Sequence, residues 1–330
     1  MSSVSNCDIY LDVPVEYAGK TVASVVKQMT GRSWSEVKRL LLQRHIAVNG
    51  IVCIEEARRV VAGERIRVSD RVIKQAISTG DVTVYYMDSE LIVLEKPAGI
   101  VSLRHFREID WPYDRRMSQP TLDEVALIKV GASLTPPQDL NRWPPRIRRQ
   151  HIRAVHRIDR ETSGLVVFAR TLESEQNLIS QFAAHTVERV YLTVCYGRVS
   201  DGTTKSFFIR DRGDGLRGST LNEHEGKVAI THFRLVSTLK DHSLVECRLE
   251  TGRTHQIRLH LTESGHPLCG DGMYRSGFQE QPRADLSGAK RLALHAHRLE
   301  FDHPKTGERL RFESPLPKDM ADLLTHLRQS

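Results

Sequence analysis

The sequence predicts an α+β protein with two domains: a small helix-helix-hairpin module, then a larger domain with a mixed, mainly antiparallel β-sheet flanked by helices and loops. Two observations support this prediction. The chain has 330 residues, and single hydrophobic cores usually divide beyond about 250–300 residues. Helical periodicity dominates the first part of the chain, whereas many short β-prone runs with interspersed helical stretches follow from about residue 81.

The predicted N-terminal module covers residues 8–75. Apolar residues recur at helical spacing in "TVASVVKQMTG" and in "SWSEVKRLLLQRH", where Ser33 or Ser35 is placed to cap the second helix. Two short β-prone runs follow, broken by Asn49-Gly50, a favoured hairpin turn, and by Gly63. These signals predict two helices followed by a hairpin.

Basic residues cluster on or beside the second predicted helix, where they can form one basic edge: Arg32, Lys38, Arg39 and Arg44. A solvated helix face is the alternative explanation of this pattern. The whole chain has a formal net charge of +7, and basic surfaces attract polyphosphates. A nucleic acid is therefore a candidate partner.

The predicted second domain covers residues 80–330 and begins with the strand-like run "DVTVYYMDSELIVLEKPAGIVS". Residues 104–150 are the least regular part, and we interpret them as an insertion. Its proline pairs at 136–137 and 144–145 exclude continuous helix or strand, although "TLDEVALIKVGA" can form one helix. The segment ends in a strongly basic run that leads into the next motif: Arg142, Arg146, Arg148, Arg149 and Arg153.

The remainder of the second domain alternates between the two types of element. We predict strands near 165–170, 190–196, 228–236, 243–251 and 256–261, and helices near 173–184 and 318–328. This succession favours a largely antiparallel or mixed sheet over a parallel one.

Composition excludes several classes of protein. No apolar run approaches the ~18 residues that a membrane span needs, and "MSSVSNCDIYLDVP" lacks the features of a secretory signal, so we expect a cytoplasmic protein without a membrane partner. The five cysteines are odd in number and scattered, which favours idle thiols over a disulfide framework or a zinc knuckle.

Asp159 stands in the motif "HRIDRETSG", between two arginines and directly before the apolar run "LVVFA". Such a carboxylate is either part of a surface ion pair or is held ionised in a dry site by a paired cation. The short turn residues and the following strand favour the second interpretation, because they can fix one carboxylate. A single carboxylate suits attack on, or electrostatic support of, the anomeric carbon of a sugar, whereas ordinary glycosidases need two.

A second constellation lies in "ETGRTHQIRLHLTESGHPLCGDGMY". Its alternation predicts a strand that presents Arg253 and Arg258, one to pair with Asp159 and one to grip a phosphate. We interpret His255 and His260 as hydrogen-bonded core imidazoles. A metal site is disfavoured, because a strand would turn these imidazoles to different sides and no carboxylate joins them at ligand spacing.

Five ordered motifs resemble the landmarks of RluA-type RNA pseudouridine synthases: "EKPAGIV", "HRIDRETSGLVVFAR", "ERVYLTVCYG", "TGRTHQIRLHLTESGHPLCGD" and "LALHAHRLEFDHPKTGERLRFESPLP". The resemblance covers residues 80–318 apart from the insertion. The module is similar to the alpha-L RNA-binding module named after ribosomal protein S-four, with Gly63-Glu64 where that family usually has Gly-Asp.

The resemblance implies an activity without a cofactor: uracil is detached from C1′ of a uridine in RNA, rotated and rejoined through C5. By motif, Asp159 matches the catalytic aspartate, Tyr191 the tyrosine that stacks on the uracil, and Arg258 the basic residue that ion-pairs with the aspartate. Arg157 matches the arginine that fills the gap left by the flipped nucleotide. Further candidate RNA contacts are His156, Arg253, Arg149 and Arg153.

The resemblance suggests ribosomal RNA of the large subunit as the substrate, with transfer RNA as the second possibility, and we expect a monomer. Two other functions remain open at this stage. A non-catalytic RNA-binding or ribosome-assembly protein would keep both domains without chemistry. A serine hydrolase that uses Ser163 is disfavoured, because the motif lacks a Gly-x-Ser-x-Gly elbow.

Overall fold

The computed structural model describes most of the chain: residues 8–48, 51–54, 56, 58–60, 62–73, 79–104, 108, 116, 120–131, 152–211, 216–274 and 285–329. Several sequence predictions lie outside these residues. They are the Asn49-Gly50 turn, the two proline pairs, Cys7 and the arginines at 142, 146, 148 and 149.

The N-terminal module contains both predicted helices, packed on a small antiparallel sheet. Its elements are β1 (Ile9–Asp12), α1 (Val22–Thr30), α2 (Trp34–Leu42), β2 (Ile46–Val48), β3 (Ile51–Val52) and β4 (Arg65–Val68). The sheet order is β1-β4-β2-β3, so the predicted hairpin strands are joined by two more. Ser33 caps α2, because its Oγ accepts a hydrogen bond from Glu36 N at 3.2 Å.

The second domain is built on an 11-stranded mixed sheet. Its elements are β5 (Thr83–Met87), β6 (Leu91–Lys96), α3 (Leu122–Lys129), β7 (Arg153–Ala154), β8 (Ser163–Ala169), α4 (Leu172–Ala183), β9 (Glu188–Tyr196), β10 (Gly202–Ile209), β11 (Gly218–Thr220), β12 (Lys227–Leu239), β13 (His242–Leu249), α5 (Gln256–Glu263), β14 (Leu294–Asp302), β15 (Arg309–Glu313) and α6 (Lys318–Gln329).

The strands follow the order β11-β10-β12-β13-β9-β14-β8-β6-β5, with β15 paired to β14 and β7 to β8. The pairing of β14 with β8 is parallel, and the other described pairings of this sheet are antiparallel, which confirms the predicted mixed, mainly antiparallel sheet. All seven residues of β8 are buried, as is typical of a central strand covered on both faces. This strand fixes the end of the loop that carries Asp159.

One strand prediction is wrong: residues 256–261 belong to the helix α5. The alternation of apolar and polar residues misled the prediction because α5 is buried from Gln256 to Thr262, on all of its sides. A helix without an exposed face has no polar stripe, so its sequence loses the helical period. The helix also begins abruptly, since His255 has a left-handed backbone with φ 61°.

A buried ion-pair cluster lies within the described part of the insertion. The predicted helix forms as α3, and its Glu124 is fully buried. Both oxygens of Glu124 accept from arginines outside the helix, at 2.7 Å from Arg104 and at 2.8 Å from Arg116. Buried charges need such partners, so these arginines and Glu124 hold one another in place.

Two further features bear on the composition-based predictions. The four cysteines within the described residues are buried free thiols, in agreement with the sequence interpretation. Across the same residues, no helix combines the length and the apolarity that crossing a membrane requires.

Two buried histidines use both ring nitrogens in hydrogen bonds. His260 lies 3.0 Å from Ser206 Oγ and 2.8 Å from Thr231 Oγ1. His295 lies 2.9 Å from Ser163 Oγ and 3.3 Å from a backbone carbonyl. The core interpretation of His260 is therefore confirmed. Burial lowers the pKa of each imidazole from 6.5 to about 4.

Acidification is therefore expected to destabilise the folded protein. Above pH 6.5 neither state holds a proton on these two imidazoles. Between 6.5 and about 4 only the unfolded chain takes up protons there, so the free energy of unfolding falls as the pH falls, by up to about 3 kcal/mol per histidine. Urea unfolding monitored by circular dichroism across this pH range measures the slope.

The slope is set by the difference in bound protons between the unfolded and the folded chain, and His260→Asn should reduce that difference by up to one proton. The control is His224→Asn, because the His224 side chain is 87% exposed and should leave the slope unchanged. A His260→Asn slope equal to that of the wild type would contradict the assignment of His260 as a neutral buried imidazole.

Candidate active site

The loop that carries Asp159 is held on both sides of the aspartate by the "EKPAG" segment and by Ser102, which follows it. Ser102 Oγ donates to the carbonyl of Ile158 at 2.7 Å. The buried Lys96 Nζ donates to the carbonyl of Arg160 at 3.0 Å, and Gly99 N donates to the same carbonyl at 2.7 Å. The backbone is thereby fixed directly before Asp159 and at the carbonyl of the residue after it, which positions the Asp159 carboxylate before any substrate arrives.

Lys96 is fully buried and donates to two more backbone carbonyls, those of Pro97 at 3.1 Å and Ile100 at 2.9 Å. Burial lowers its pKa well below the ordinary value, while the charge of Asp159 acts in the opposite direction. Three carbonyl acceptors suit an ammonium group, which has three N–H donors.

Two nitrogen groups from the start of α5 face the Asp159 carboxylate. Arg258 Nη1 lies 3.8 Å from Asp159 Oδ2, and His255 Nε2 lies 3.9 Å from the same oxygen. The Asp159 side chain is 20% exposed, whereas that of Arg258 is only 3% exposed. The structure thus brings Asp159 and Arg258 together at the edge of the interior, but it does so with a helix and not with the predicted strand.

Asp271 holds Arg258 through a two-pronged ion pair. Arg258 Nε donates to Asp271 Oδ2 at 2.7 Å, and Arg258 Nη2 donates to Asp271 Oδ1 at 2.8 Å. Burial alone would lower the pKa of Arg258, but the carboxylates of Asp271 and Asp159 raise it above its ordinary value. Asp271 also accepts from two backbone N–H groups, at 2.8 and 3.0 Å. Arg258 is therefore a permanent cation with a fixed orientation.

His255 occupies a different place from the one expected for a core imidazole. It is hydrogen-bonded, with Nδ1 2.8 Å from the Tyr274 hydroxyl, but its Nε2 side lines the cavity that contains Asp159. Burial and the charge of Arg258 lower the pKa of His255 to about 4. At neutral pH it is therefore an uncharged imidazole beside a carboxylate and a guanidinium.

The cavity above Asp159 has a volume of about 500 Å³. Tyr191 reaches it from β9 and is 8% exposed, and the apolar side chains of Ile158, Leu249 and Leu294 form other parts of the wall. Burial raises the pKa of Tyr191 to about 12, so its hydroxyl stays protonated at neutral pH. Asp159 is the only carboxylate among the described residues that line this cavity.

Arg189 lies deep in the same cavity, 8% exposed, although the sequence analysis assigned it no role. Its Nη2 donates to the carbonyl of Glu250 at 2.8 Å, and its guanidinium lies 5.4 Å from the centre of the Phe182 ring. Burial lowers its pKa, and Tyr191 opposes this effect. The wall opposite Asp159 is therefore basic as well as aromatic.

The other predicted RNA contacts have diverse positions. Arg157 is exposed at the rim of the cavity, and Arg253 lines the cavity with its Nε donating to the carbonyl of Val228 at 2.9 Å. His156 also lines it, but its Nε2 accepts from a backbone N–H of β8 at 3.0 Å, and burial lowers its pKa to about 3. Arg153 forms an ion pair with Glu175 at 2.8 Å.

The basic edge of the N-terminal module is only partly as predicted. Lys38 and Arg39 are exposed, and Arg32 is half-buried. Arg44 is 3% exposed and has a left-handed backbone with φ 64° directly after α2. Its inclusion in an exposed edge is wrong, because the chain turns sharply there and carries the side chain inward.

The module contacts the loop of Asp159 directly. Arg160 Nη2 donates to the carbonyl of Val52 at 2.5 Å, while Arg160 Nε donates to the carbonyl of Gly99 at 3.1 Å. A groove of about 160 Å³ lies at this junction and is lined by Arg58 from the module and by Asp159 and Arg258 from the second domain. Within the described chain, no group of three or more His, Cys, Asp or Glu side chains is placed to hold a metal ion.

Comparison with known proteins agrees with this geometry. A family model described as RNA pseudouridylate synthase matches residues 90–263, more than half of the 330 residues. The chain belongs to this family. It is an RNA pseudouridine synthase, an isomerase, and the RluA-type resemblance of its five motifs is confirmed.

Curated relatives cover nearly the whole synthase. Ribosomal large subunit pseudouridine synthase D of Neisseria meningitidis serogroup A is 33% identical over 97% of this chain and 82% of its own length. An uncharacterized RNA pseudouridine synthase of Bacillus subtilis, YlyB, is 34% identical over 91% of this chain and 92% of its own length. The human RNA pseudouridylate synthase domain containing 4 shares the fold, with a TM-score of 0.55 at 21% identity over 74% of this chain and 92% of that one.

Sequence reasoning missed the roles of Lys96, Ser102 and Asp271 in this synthase. Lys96 and Asp271 lie within the motifs "EKPAGIV" and "HPLCGD", so the signal was present. The contacts could not be predicted from it, because Lys96 acts on a distant segment of the chain and Asp271 meets Arg258 only where the chain turns back after α5. Ser102 follows the first motif and carried no signal of its own.

Asp271→Asn is expected to lower the rate of pseudouridine formation by about 100-fold, because a displaced Arg258 no longer faces Asp159. The measurement is single-turnover conversion of an RNA transcript, with folding monitored by thermal melting. Asp319→Asn is the matched control, since Asp319 grips Arg291 in the same two-pronged way at 2.6 and 2.9 Å. Equal rates for the two variants would contradict a positioning role of Asp271.

Proposed function

We propose that Asp159 is the residue of this synthase that acts on C1′ of a uridine flipped out of folded RNA. One observation carries the proposal: Asp159 is the only carboxylate among the described residues lining a cavity of about 500 Å³, and a buried cation lies 3.8 Å from it. Hydrolysis of a glycosidic bond needs a second carboxylate to protonate the leaving group or to activate water. A single ionised aspartate instead suits reversible cleavage and rejoining at one sugar carbon.

Arg258 places a fixed positive charge beside the carboxylate. Its Nη1 lies 3.8 Å from Asp159 Oδ2, and Asp271 holds the guanidinium in place. The distance of 3.8 Å is longer than a direct hydrogen bond. The carboxylate therefore keeps lone pairs free to approach the sugar.

Tyr191 forms the platform for the detached base. A uridine within a helix is inaccessible, and extrusion costs a few kcal/mol of stacking, which an aromatic surface partly offsets. Because the pKa of Tyr191 is about 12, its phenol stacks as a neutral ring. Arg157, exposed at the rim, is positioned to fill the space that the nucleotide leaves.

The substrate that these features and the relatives support best is large-subunit ribosomal RNA, with transfer RNA as the alternative. Curated relatives of the chain are named ribosomal large subunit pseudouridine synthase D. We propose that residues 8–75 form an alpha-L RNA-binding module that adds contacts through Lys38 and Arg39, and that residues 80–330 form the catalytic domain. We further propose that the enzyme acts as a cytoplasmic monomer and needs no cofactor.

Asp159→Asn is expected to abolish pseudouridine formation while RNA affinity changes by less than about threefold, because the amide keeps the shape and loses the charge. Filter binding measures the RNA affinity. Carbodiimide labelling measures the conversion, because pseudouridine has the same mass as uridine and cannot be detected by mass alone. Asp302→Asn, an exposed carboxylate of β14, is the control and should retain both. Undiminished isomerisation by Asp159→Asn would refute the proposed role, and a wild type that binds without converting would favour the non-catalytic RNA-binding alternative.

The target is expected to appear in cells as a carbodiimide-dependent stop of reverse transcription on large-subunit ribosomal RNA. The stop should vanish when the gene is deleted, return with the wild-type gene and stay absent with Asp159→Asn. Loss of stops in transfer RNA alone would replace the proposed substrate by the alternative one.

A further inference from the structure

A second cavity lies beside the first and shares part of its wall. It has a volume of about 660 Å³ and is lined by the ends of β10 and β12 and by the loop 252–254. Gly252, Arg253 and Thr254 line both cavities. An extended ligand that enters one cavity at this loop therefore reaches the other cavity directly.

The second cavity is strongly basic. Arg210, Arg217 and Lys227 line it together with Arg253, and Glu225 is the only carboxylate among the described lining residues. Arg210 and Lys227 are exposed and Arg217 is half-buried. Within the described chain, none of Arg210, Arg217 and Lys227 has an ion-pair partner.

Several arginines elsewhere on the same domain are paired with carboxylates. Arg234 pairs with Glu246 at 2.7 Å, and Arg309 and Arg311 pair with carboxylates of β14 and β15. The contrast matters because like charges repel one another and are unfavourable when gathered without counter-charges. A cluster of unneutralised cations in a concave surface favours a polyanionic ligand.

The shared wall is rigid before any ligand binds. Gln256 is 3% exposed, and its Oε1 accepts from Thr251 Oγ1 at 2.8 Å and from Arg253 N at 3.0 Å. Its Nε2 donates to the carbonyl of Ile230 at 2.9 Å, which ties the loop to β12. A Cβ on Gly252 would lie 2.6 Å from Arg189 Nη1, so the glycine lets this loop touch the basic wall of the first cavity.

Arg217 of the second cavity acts on two side chains beside the first cavity. Its charge adds to the burial that lowers the pKa of His255, and it partly opposes the burial that raises the pKa of Tyr274. Its guanidinium therefore lies close enough to act on a ligand that spans the two cavities. Phe208 is the only Phe, Tyr or Trp among the described lining residues and is 9% exposed, and the other ring there is the exposed imidazole of His224.

We propose that the second cavity binds the phosphates of the RNA strand adjoining the uridine that occupies the first cavity. The proposal rests on the proposed function, because it assumes that the uridine enters above Asp159. Arg210, Arg217 and Lys227 neutralise the phosphates without reading the bases, and the rigid loop 252–254 sets the register between the bound strand and the carboxylate. The cavity thus supplies affinity and alignment but takes no part in bond cleavage.

The test compares two triple variants with the same loss of charge: Arg210→Gln/Arg217→Gln/Lys227→Gln and, as the control, Arg234→Gln/Arg309→Gln/Arg311→Gln. The probe is unmodified large-subunit ribosomal RNA transcribed in vitro, assayed for pseudouridine over a series of salt concentrations. We expect the first variant to raise KM about tenfold or more and to lower the salt slope of log Kd by about 2, with kcat at saturating RNA retained. The control should stay within about twofold of the wild type in KM, because its arginines form exposed ion pairs.

Equal KM values and equal salt slopes for the two triple variants would overturn the proposal, as would a loss confined to kcat. If the first variant melts at a lower temperature than the control, the double variant Arg210→Gln/Lys227→Gln replaces it, because both of these side chains are exposed. An absence of pseudouridine with the wild-type enzyme would instead count against the substrate in the proposed function, so the two failures are distinguishable.

Discussion

The buried ion pair between Arg258 and Asp271 is the interaction on which the site depends. An isolated guanidinium in the interior costs several kcal/mol, and this cost is offset only when the partner has good geometry. Asp271 meets that condition with two hydrogen bonds to Arg258 and further bonds to the backbone at Met273 and Tyr274. Because two of the guanidinium nitrogens are occupied, the third is directed at Asp159. The pair explains why a charged residue lies within a helix that is buried on all of its sides.

The same design recurs around Asp159 itself. Ile158 anchors the loop in the hydrophobic core, and polar groups at the end of β6 and just after it fix the backbone of the loop. Lys96 and Ser102 hold the backbone on either side of the carboxylate. The two halves of the site, the loop and the start of α5, are therefore each fixed by a separate set of buried hydrogen bonds. In the proposed mechanism, such preorganisation lets the carboxylate meet the sugar without reorganising at the moment of reaction.

Charge distribution separates the surfaces that support the fold from those that face a ligand. The arginines of β12, β14 and β15 are matched by carboxylates on neighbouring strands, as in the pairs of Arg234 with Glu246 and Arg298 with Glu188. Around the two cavities the balance is different, since Asp159 and Glu225 are the only carboxylates among their described lining residues. Positive charge therefore prevails among the described residues around the two cavities, where the proposed RNA would lie. This arrangement is typical of proteins that draw most of their affinity from phosphate contacts.

The sequence by itself determined the fold class, most strands and helices, and the candidate residues Asp159, Tyr191 and Arg258. Local patterns suffice for these predictions, because the period of a strand and the residues of a motif both lie close together in the sequence. The sequence could not show that residues 256–263 form a helix, since burial on all sides removes the helical period. Nor could it show that Asp271 orients Arg258 or that Lys96 fixes the loop of Asp159. Only the tertiary structure decided these contacts, because Lys96 is far from the Asp159 loop in the chain and Asp271 meets Arg258 only where the chain turns back after α5. The second cavity has the same origin, since its basic residues lie at the ends of different strands and in the loop 252–254 and become one surface only when the strands pair.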